Sequence, residues 1–419
     1  MRFLLLIFFN VFVLEIIAQC NGPRYKTFVF DEIAVTNDIT YGENINVSNE
    51  LQSLEMDVYR PASDPEPERA LIILAHGGSF IFGNKQDLEA VAIDYARLGY
   101  VAVSIEYRLG LTENIFVQLP DSADVTAAVA RGVQDMRAAV RWFVKDATEG
   151  DNQFNIDVNN IFVGGFSAGG VIVNHALYLD KEEEWPPFGP EHIGLEGGPE
   201  GNSGNQGYDY EIKAGINIAG ALGDTTWIQP GDEPMASFHG TEDDVVPFGY
   251  DIVTIAIPPF NLEVGYIFGS SIVHEQLDNL GILNCFTPYQ GQGHVPENSN
   301  PLYADTTFIK SRNFLATLIC EESLSCNYEE LFTSLSSLEK ESISIQAFPN
   351  PFTASFSLGF NSDLEADIFV FDGTGKQVGQ YAGYHSGSLL KMDDKPKGIY
   401  LLRVVFGNGY QTCLRVVKE

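Results

Sequence analysis

Apolar runs without polar interruption alternate with stretches of helical spacing through most of this chain. Ala70-Leu71-Ile72-Ile73-Leu74-Ala75 and Tyr100-Val101-Ala102-Val103-Ser104-Ile105 read as strands buried on both faces, as parallel sheets require. Between them, Asp87 to Leu98 sets Leu88, Val91, Ala92 and Tyr95 on one face of a helix. Val125 to Val144 predicts a long amphipathic helix carrying Val129, Val133, Met136, Val140 and Trp142-Phe143. Further strands are expected at Ile161–Val163, Ala214–Ala219, Met235–His239 and Cys285–Tyr289, with a last helix around Phe308 to Ile319. From Tyr25 to about Glu321 the rhythm is that of an α/β domain, a mainly parallel, doubly wound sheet with helices on both faces.

Two stretches break the rhythm. Glu182 to Tyr210 is rich in Gly, Pro, Glu and Asn, and reads either as a lid or as a surface insertion. Residues 322–341 form a polar, Ser/Glu-rich linker. Beyond it, from 342 to 419, short alternating strands follow at Ile343–Phe348, Ser355–Phe360, Ala366–Phe371, Gly398–Val405 and Thr412–Val417. Turn signals such as Asp372-Gly373-Thr374-Gly375 and Gly407-Asn408-Gly409 separate them, and the texture is that of a small all-β sandwich.

A length of 419 residues suggests two or three domains, and 45% hydrophobic with 12% aromatic residues is enough for sizeable cores. The net charge of −33 repels nucleic acid and anionic membranes, so neither is expected as a partner. It is compatible with secretion into salty surroundings, where screening weakens self-repulsion. Met1–Gln19 reads as a signal peptide: Arg2 is the positive end, Phe3 to Ile17 is almost wholly apolar, and Ala18 is small. No other stretch is apolar enough to span a membrane, so the mature chain is expected to have no transmembrane segment. Cys20 raises the question of lipid attachment, against which Gln19 argues, since such signals want a small residue there. The five cysteines are too few for a disulfide scaffold, and none has a zinc-binding spacing. A bridge from Cys285 to Cys320 or Cys326 could tie the last helix near the Gly293-His294 loop; free or differently paired thiols are the alternative.

Candidate chemistry centres on Gly165-Phe166-Ser167-Ala168-Gly169, a G-x-S-x-G pentapeptide after the strand Ile161-Phe162-Val163 and before the helix-like Val171 to Leu177. A serine hydroxyl becomes a nucleophile at a sharp strand-to-helix turn with a base and oxyanion donors beside it. In a chain with 40 Gly the pentapeptide alone is a weak signal. His76-Gly77-Gly78-Ser79-Phe80 strengthens it, because adjacent glycines can turn backbone N–H groups into a cavity, and each oxyanion donor is worth about 3–4 kcal/mol. His76 itself is read as a buttress of that loop. For the acid, Asp243 just past the strand Met235–His239 is the choice, with Asp244 as fallback and Glu242 less favoured. For the base, the Gly-flanked His294 in Gln290-Gly291-Gln292-Gly293-His294 stands ahead of the other six histidines. No metal ligand set and no cofactor motif accompany them.

These motifs, with Glu106-Tyr107-Arg108-Leu109 and Arg137-Ala138-Ala139-Val140-Arg141-Trp142, resemble α/β-hydrolase carboxylesterases of the hormone-sensitive-lipase-like and type-B groups. The likeness runs from about Glu55 to Ile319. It implies an α/β-hydrolase fold, a Ser167–His294–Asp243 triad, and oxyanion N–H groups from Gly78, Ser79 and Ala168. Many relatives carry a third Gly where this chain has Ser79; a backbone donor survives the change. Ala347-Phe348-Pro349-Asn350-Pro351-Phe352 and Gly398-Ile399-Tyr400-Leu401-Leu402-Arg403-Val404 resemble type IX secretion sorting domains of Bacteroidetes. That resemblance implies the type IX machinery as a partner and a secreted or cell-surface location reached through the periplasm; a carbohydrate- or partner-binding sandwich competes with it. The resulting expectation is a secreted serine carboxylester hydrolase acting on small esters, acylated polysaccharides or polyesters. A serine peptidase with the same triad, or a silent binding protein on a hydrolase fold, are the alternatives.

Overall fold

A computed structural model describes residues 20, 22–111, 120–257, 260–322, 326, 345–360, 365–372, 376–406 and 411–418. The signal-peptide reading of Met1–Gln19, nearly all of the 322–341 linker, Gly373-Thr374-Gly375 and Gly407-Asn408-Gly409 lie outside the described residues. The chain divides into two compact units, Met1–Thr333 and Ser334–Glu419.

In the first unit the elements run β1 (Ile33–Ile45), β2 (Leu51–Pro61), β3 (Arg69–Ala75), α1 (Glu89–Leu98), β4 (Val101–Ile105), α2 (Ser122–Glu149), β5 (Ile156–Phe166), α3 (Ala168–Tyr178), β6 (Ala214–Ile218), β7 (Ala221–Leu222), β8 (Met235–Gly240), β9 (Tyr250–Ile257), β10 (Phe260–Gly269), α4 (Ser270–Leu280), β11 (Asn284–Tyr289) and α5 (Pro301–Ile319). Eight strands form one sheet in the order β1-β2-β4-β3-β5-β6-β8-β11. The pairs from β4 to β11 are parallel, while β1 with β2 and β2 with β4 are antiparallel. This is the expected doubly wound architecture.

The period-two geometry of β3 shows why an unbroken apolar run was needed. Leu71, Ile73 and Ala75 face α2 and α3, in a core with Val133, Val140, Ile172 and Val173. Ala70, Ile72 and Leu74 face the other way, in a core with Ala92, Tyr95, Phe314 and Leu315. Each fully buried Leu or Ile contributes about 1.5–3 kcal/mol, so both faces favour the strand.

The structure adds elements that the pattern did not announce. β1 and β2 supply the antiparallel end of the sheet; β1 is mostly half-exposed or exposed, and its pairing shifts register between Thr36 and Ile39. β10 pairs with β7 on one side and β9 on the other, in a separate three-stranded sheet. α2 is longer than predicted because Asp121 caps it, accepting from the N–H groups of Ala123 and Asp124.

The 182–210 stretch is fastened along α2 rather than free to swing. Arg131 Nη2 donates to Ile193 O (3.0 Å), Gln134 Nε2 to Gly198 O (2.8 Å) and Arg137 Nη1 to Pro199 O (3.0 Å). Arg141 donates to Glu200 Oε2 (2.6 Å) and Gly204 O (3.0 Å), and Arg108, paired with buried Asp135, reaches Gly194 O (2.6 Å). Residues 131, 134, 137/138 and 141 share one helix face, so the arginines of the Arg137–Trp142 motif serve this strap.

Cys20 pairs with Cys320, and Cys285 with Cys326. The first bridge occupies the Cys20 sulfur, which leaves it no valence for a lipid. The second joins β11 to the chain beyond α5.

In the second unit, β12 (Ile345–Phe348), β13 (Ser355–Phe360) and β16 (Leu389–Lys391) make one sheet. β14 (Ala366–Asp372), β15 (Gln377–Tyr384), β17 (Gly398–Phe406) and β18 (Gln411–Lys418) make the other, in the order β15-β14-β17-β18. The pairs between their strands are antiparallel. Phe356 and Leu358 from one sheet share a core with Ile368, Val370, Leu402 and Val404 from the other. β15 and β16 were absent from the sequence-based expectation; Gly379, Gly383 and the glutamines dilute the alternation of β15, and β16 is only three residues long.

Candidate active site

Ser167 sits between β5 and α3 with φ 54° and ψ −116°, a strained conformation for a residue with a Cβ. Its N–H is held by Ile218 O at the end of β6 (2.8 Å), and its carbonyl accepts from Val171 in α3 (2.9 Å). The turn closes only because its neighbours lack side chains. A Cβ on Gly169 would overlap the Ala75 carbonyl, and one on Gly165 the carbonyl of Gly169.

His294 follows β11, and Asp243 follows β8, the adjacent parallel strand. Their loops are tied together: Thr241 N–H donates to Tyr289 O (3.0 Å), Glu242 N–H to Gln292 O (2.8 Å), and Gly291 N–H to Thr241 Oγ1 (2.8 Å). Gly240 is needed at the crossing, since a Cβ there would strike the carbonyls of Gln292 and Gly293. The result is a continuous chain of contacts. His294 Nε2 lies 2.8 Å from Ser167 Oγ, and His294 Nδ1 lies 2.7 Å from Asp243 Oδ2. The Asp243 side chain is fully buried, while the His294 side chain keeps 20% exposure toward the site.

Asp243 Oδ1 accepts from the N–H groups of Val245 (2.9 Å) and Val246 (3.0 Å). Burial by itself would raise this carboxyl, but hydrogen bonding and charge from His239 and His294 outweigh it and bring the value down to about 2. Asp244, the fallback acid, is exposed, as is Glu242.

The Gly77-Gly78-Ser79 loop leaves β3 at His76. Gly78 has φ 118° and its carbonyl accepts from Ile81 and Phe82; Ser79 and Phe80 also have positive φ, 55° and 59°. Gly77 packs on Ser167, and a Cβ built there would come within 3.4 Å of Ser167 Cβ. Among the described residues no group accepts a hydrogen bond from the N–H of Gly78, Ser79 or Ala168. Those three donors are free for a ligand, and the Ser79 side chain does not alter that. His76 is buried, stacked on Tyr107 with ring centroids 4.3 Å apart, and Tyr107 donates from its hydroxyl to His76 O (2.9 Å). It supports the loop from behind.

The remaining histidines are elsewhere. His175 bonds Val171 O within α3, His274 bonds Asn284, His192 lies in the strapped insertion, and His385 pairs with Glu365 in the second unit. His239 is the exception: it lies fully buried with Nε2 only 3.1 Å from Asp243 Oδ2. Sequence reasoning passed over it because a histidine just before an acid has no spacing signal of its own. Among the described residues no group of acidic, histidine or cysteine side chains could hold a metal ion, and no helix is long and apolar enough to cross a membrane.

Residues 56–220 match the BD-FAE family, and residues 346–419 match the secretion system C-terminal sorting domain. Among solved structures, the propionate-bound esterase Est2 of the Planctomycetes species Thermogutta terrifontis is 20% identical, with a TM-score of 0.46 over 70% of this chain and 97% of that chain. The apo form of Thermogutta terrifontis esterase 2 is 19% identical, with a TM-score of 0.45 over 71% and 98%. BD-FAE is an esterase domain of the α/β-hydrolase kind, so the chain is an esterase-type hydrolase. Its C-terminal match marks type IX export to the cell surface or outside.

Proposed function

We propose that this exported esterase is a serine carboxylester hydrolase whose nucleophile is Ser167, whose base is His294 and whose acid is Asp243. The unbroken Ser167–His294–Asp243 contact chain, 2.8 Å and 2.7 Å, supports the reading most directly. Ser167 Oγ attacks the ester carbonyl while His294 Nε2 takes its proton, and the tetrahedral oxyanion receives hydrogen bonds from the N–H groups of Gly78, Ser79 and Ala168. Asp243, ionised and buried, orients His294 through Nδ1–H and stabilises the imidazolium as it forms. On collapse the C–O bond to the alcohol breaks, and His294 returns the proton to that leaving oxygen. Water, deprotonated by the same imidazole, then attacks the acyl carbon; the bond to Ser167 Oγ breaks as His294 returns that proton to Oγ, and the carboxylic acid leaves. Every proton and electron pair is accounted for by the side chains named, so the scheme calls for no cofactor.

The substrate class proposed is esters met outside the cell: small esters, acylated polysaccharides or polyesters. Ser167→Ala is expected to lower hydrolysis of a short p-nitrophenyl ester by about a millionfold, the scale of a lost nucleophile, with the fold unchanged. A fluorophosphonate should label the native chain at Ser167. Undiminished turnover in the variant, or no label on the native chain, would overturn the reading and favour the silent binding protein.

A further inference from the structure

Behind the acid lies a buried polar row that ester hydrolysis, as described, does not use. Asn217 at the end of β6, Ser237 and His239 in β8, and Ser270 at the start of α4 are all fully buried. Asn217 Nδ2 donates to Ser237 Oγ (3.0 Å) and to Ser270 Oγ (3.1 Å), and Asn217 Oδ1 accepts from the Gly220 N–H (2.9 Å). Ser270 Oγ lies 2.8 Å from His239 Nδ1. On the far side of the ring, Nε2 lies 3.0 Å from Val246 O and 3.1 Å from Asp243 Oδ2.

The tautomer follows from the partners. Nε2 faces two oxygens that can only accept, so it carries the proton; Nδ1 is then the acceptor, and Ser270 donates to it at 2.8 Å in preference to the Gly220 carbonyl at 3.3 Å. The row therefore has one direction: Asn217 amide to Ser270 hydroxyl, Ser270 hydroxyl to His239, His239 to the Val246 carbonyl and the Asp243 carboxylate. Val246 matters twice, because its N–H caps Asp243 Oδ1 while its carbonyl is held by His239. The phenyl ring of Phe248 closes the site edge-on, 5.7 Å from the imidazole centroid. A buried imidazole with both nitrogens engaged is rigid, and a rigid donor against a carboxylate fixes where that carboxylate points.

We propose that His239 is a positioning residue for the hydrolysis: anchored by Ser270, it uses its Nε2–H edge to hold Asp243 and the Val246 peptide, and through Asp243 it sets the orientation of His294. The proposal rests on the reading of Ser167, His294 and Asp243 as the reacting set. It predicts that what matters at position 239 is a donor at the Nε2 position, and not merely a side chain that fills the space.

Two amides separate these. In His239→Gln the terminal NH2 reaches the Nε2 position and has two hydrogens for the two acceptors. In His239→Asn the amide ends near the Nδ1 position and leaves Asp243 and Val246 without that donor. For a p-nitrophenyl ester, His239→Gln should keep kcat within about threefold of the native value, and His239→Asn should lose about 10- to 100-fold in kcat, the size seen when a partner behind a functional ligand is removed. KM should stay within about twofold in both, because substrate does not touch the residue. Both variants are first compared by circular dichroism, and their folded active sites are counted by fluorophosphonate labelling. Equal kcat in the two variants, whether native or equally depressed, would overturn the proposal, and so would a loss confined to KM. Failure of the underlying reading would look different, since Ser167→Ala would then retain activity whatever stands at 239.

Discussion

The Asp243 side chain is fully buried and meets four groups: two backbone N–H groups on one oxygen, His294 and His239 on the other. Its carboxyl stands at about 2, below the ordinary value, so its ionisation stabilises the fold. That contribution is complete above the unfolded-state value near 3.9 and is lost as pH falls through about 2, a difference of about 2–3 kcal/mol. The unfolding free energy of the native chain relative to Asp243→Asn should therefore fall by about 2 kcal/mol between pH 5 and pH 2. A constant difference across that range, by urea denaturation, would contradict the account. The same residue shows where sequence stops being informative. Glu242, Asp243 and Asp244 are chemically interchangeable on paper; the turn decides among them, by offering the N–H groups of Val245 and Val246 to one carboxylate and turning its neighbours outward. His239 was illegible for a related reason, since its role depends on α4 delivering Ser270 to its other nitrogen.

At the scale of elements, the turn that carries Ser167 depends on how closely α3 approaches the end of β3. Gly169 is the contact: any Cβ there meets the Ala75 carbonyl, which is backbone and cannot swing aside. Gly169→Ala should cost about 3 kcal/mol, the upper range for overpacking, and reduce labelling at Ser167. A variant of native stability, measured by urea midpoint, would show that the helix has room to retreat. The motif was readable because this approach demands glycine. The central strands were readable because both their faces are buried, which forces unbroken apolar runs such as 70–75. β1 was not, because an edge strand with register shifts has no strict alternation to display.

In the whole molecule the two units have separate cores, so the esterase chemistry should not need the sorting domain. A chain ending at Thr333 is expected to keep kcat/KM within about twofold of the full-length value, as independent domains do. The cut cannot come earlier without consequence. A chain ending at Glu321 loses Cys326 and frees Cys285, opening a bridge of 41-residue separation worth about 3–4 kcal/mol. Its melting temperature should be visibly lower; equal melting of the two truncated chains would show that the bridge contributes nothing. The strap at 182–210 carries a comparable lesson about what may be cut. By composition it is the most loop-like part of the first unit and invites deletion. Its carbonyls, however, do for one face of α2 what water does for an exposed helix, receiving the guanidinium groups of Arg131, Arg137 and Arg141. Trim it to a short turn and the sequence of α2, untouched, becomes the wrong sequence: a cationic stripe written for a surface that is no longer there. In any shortened relative of this chain, helix and loop have to change together.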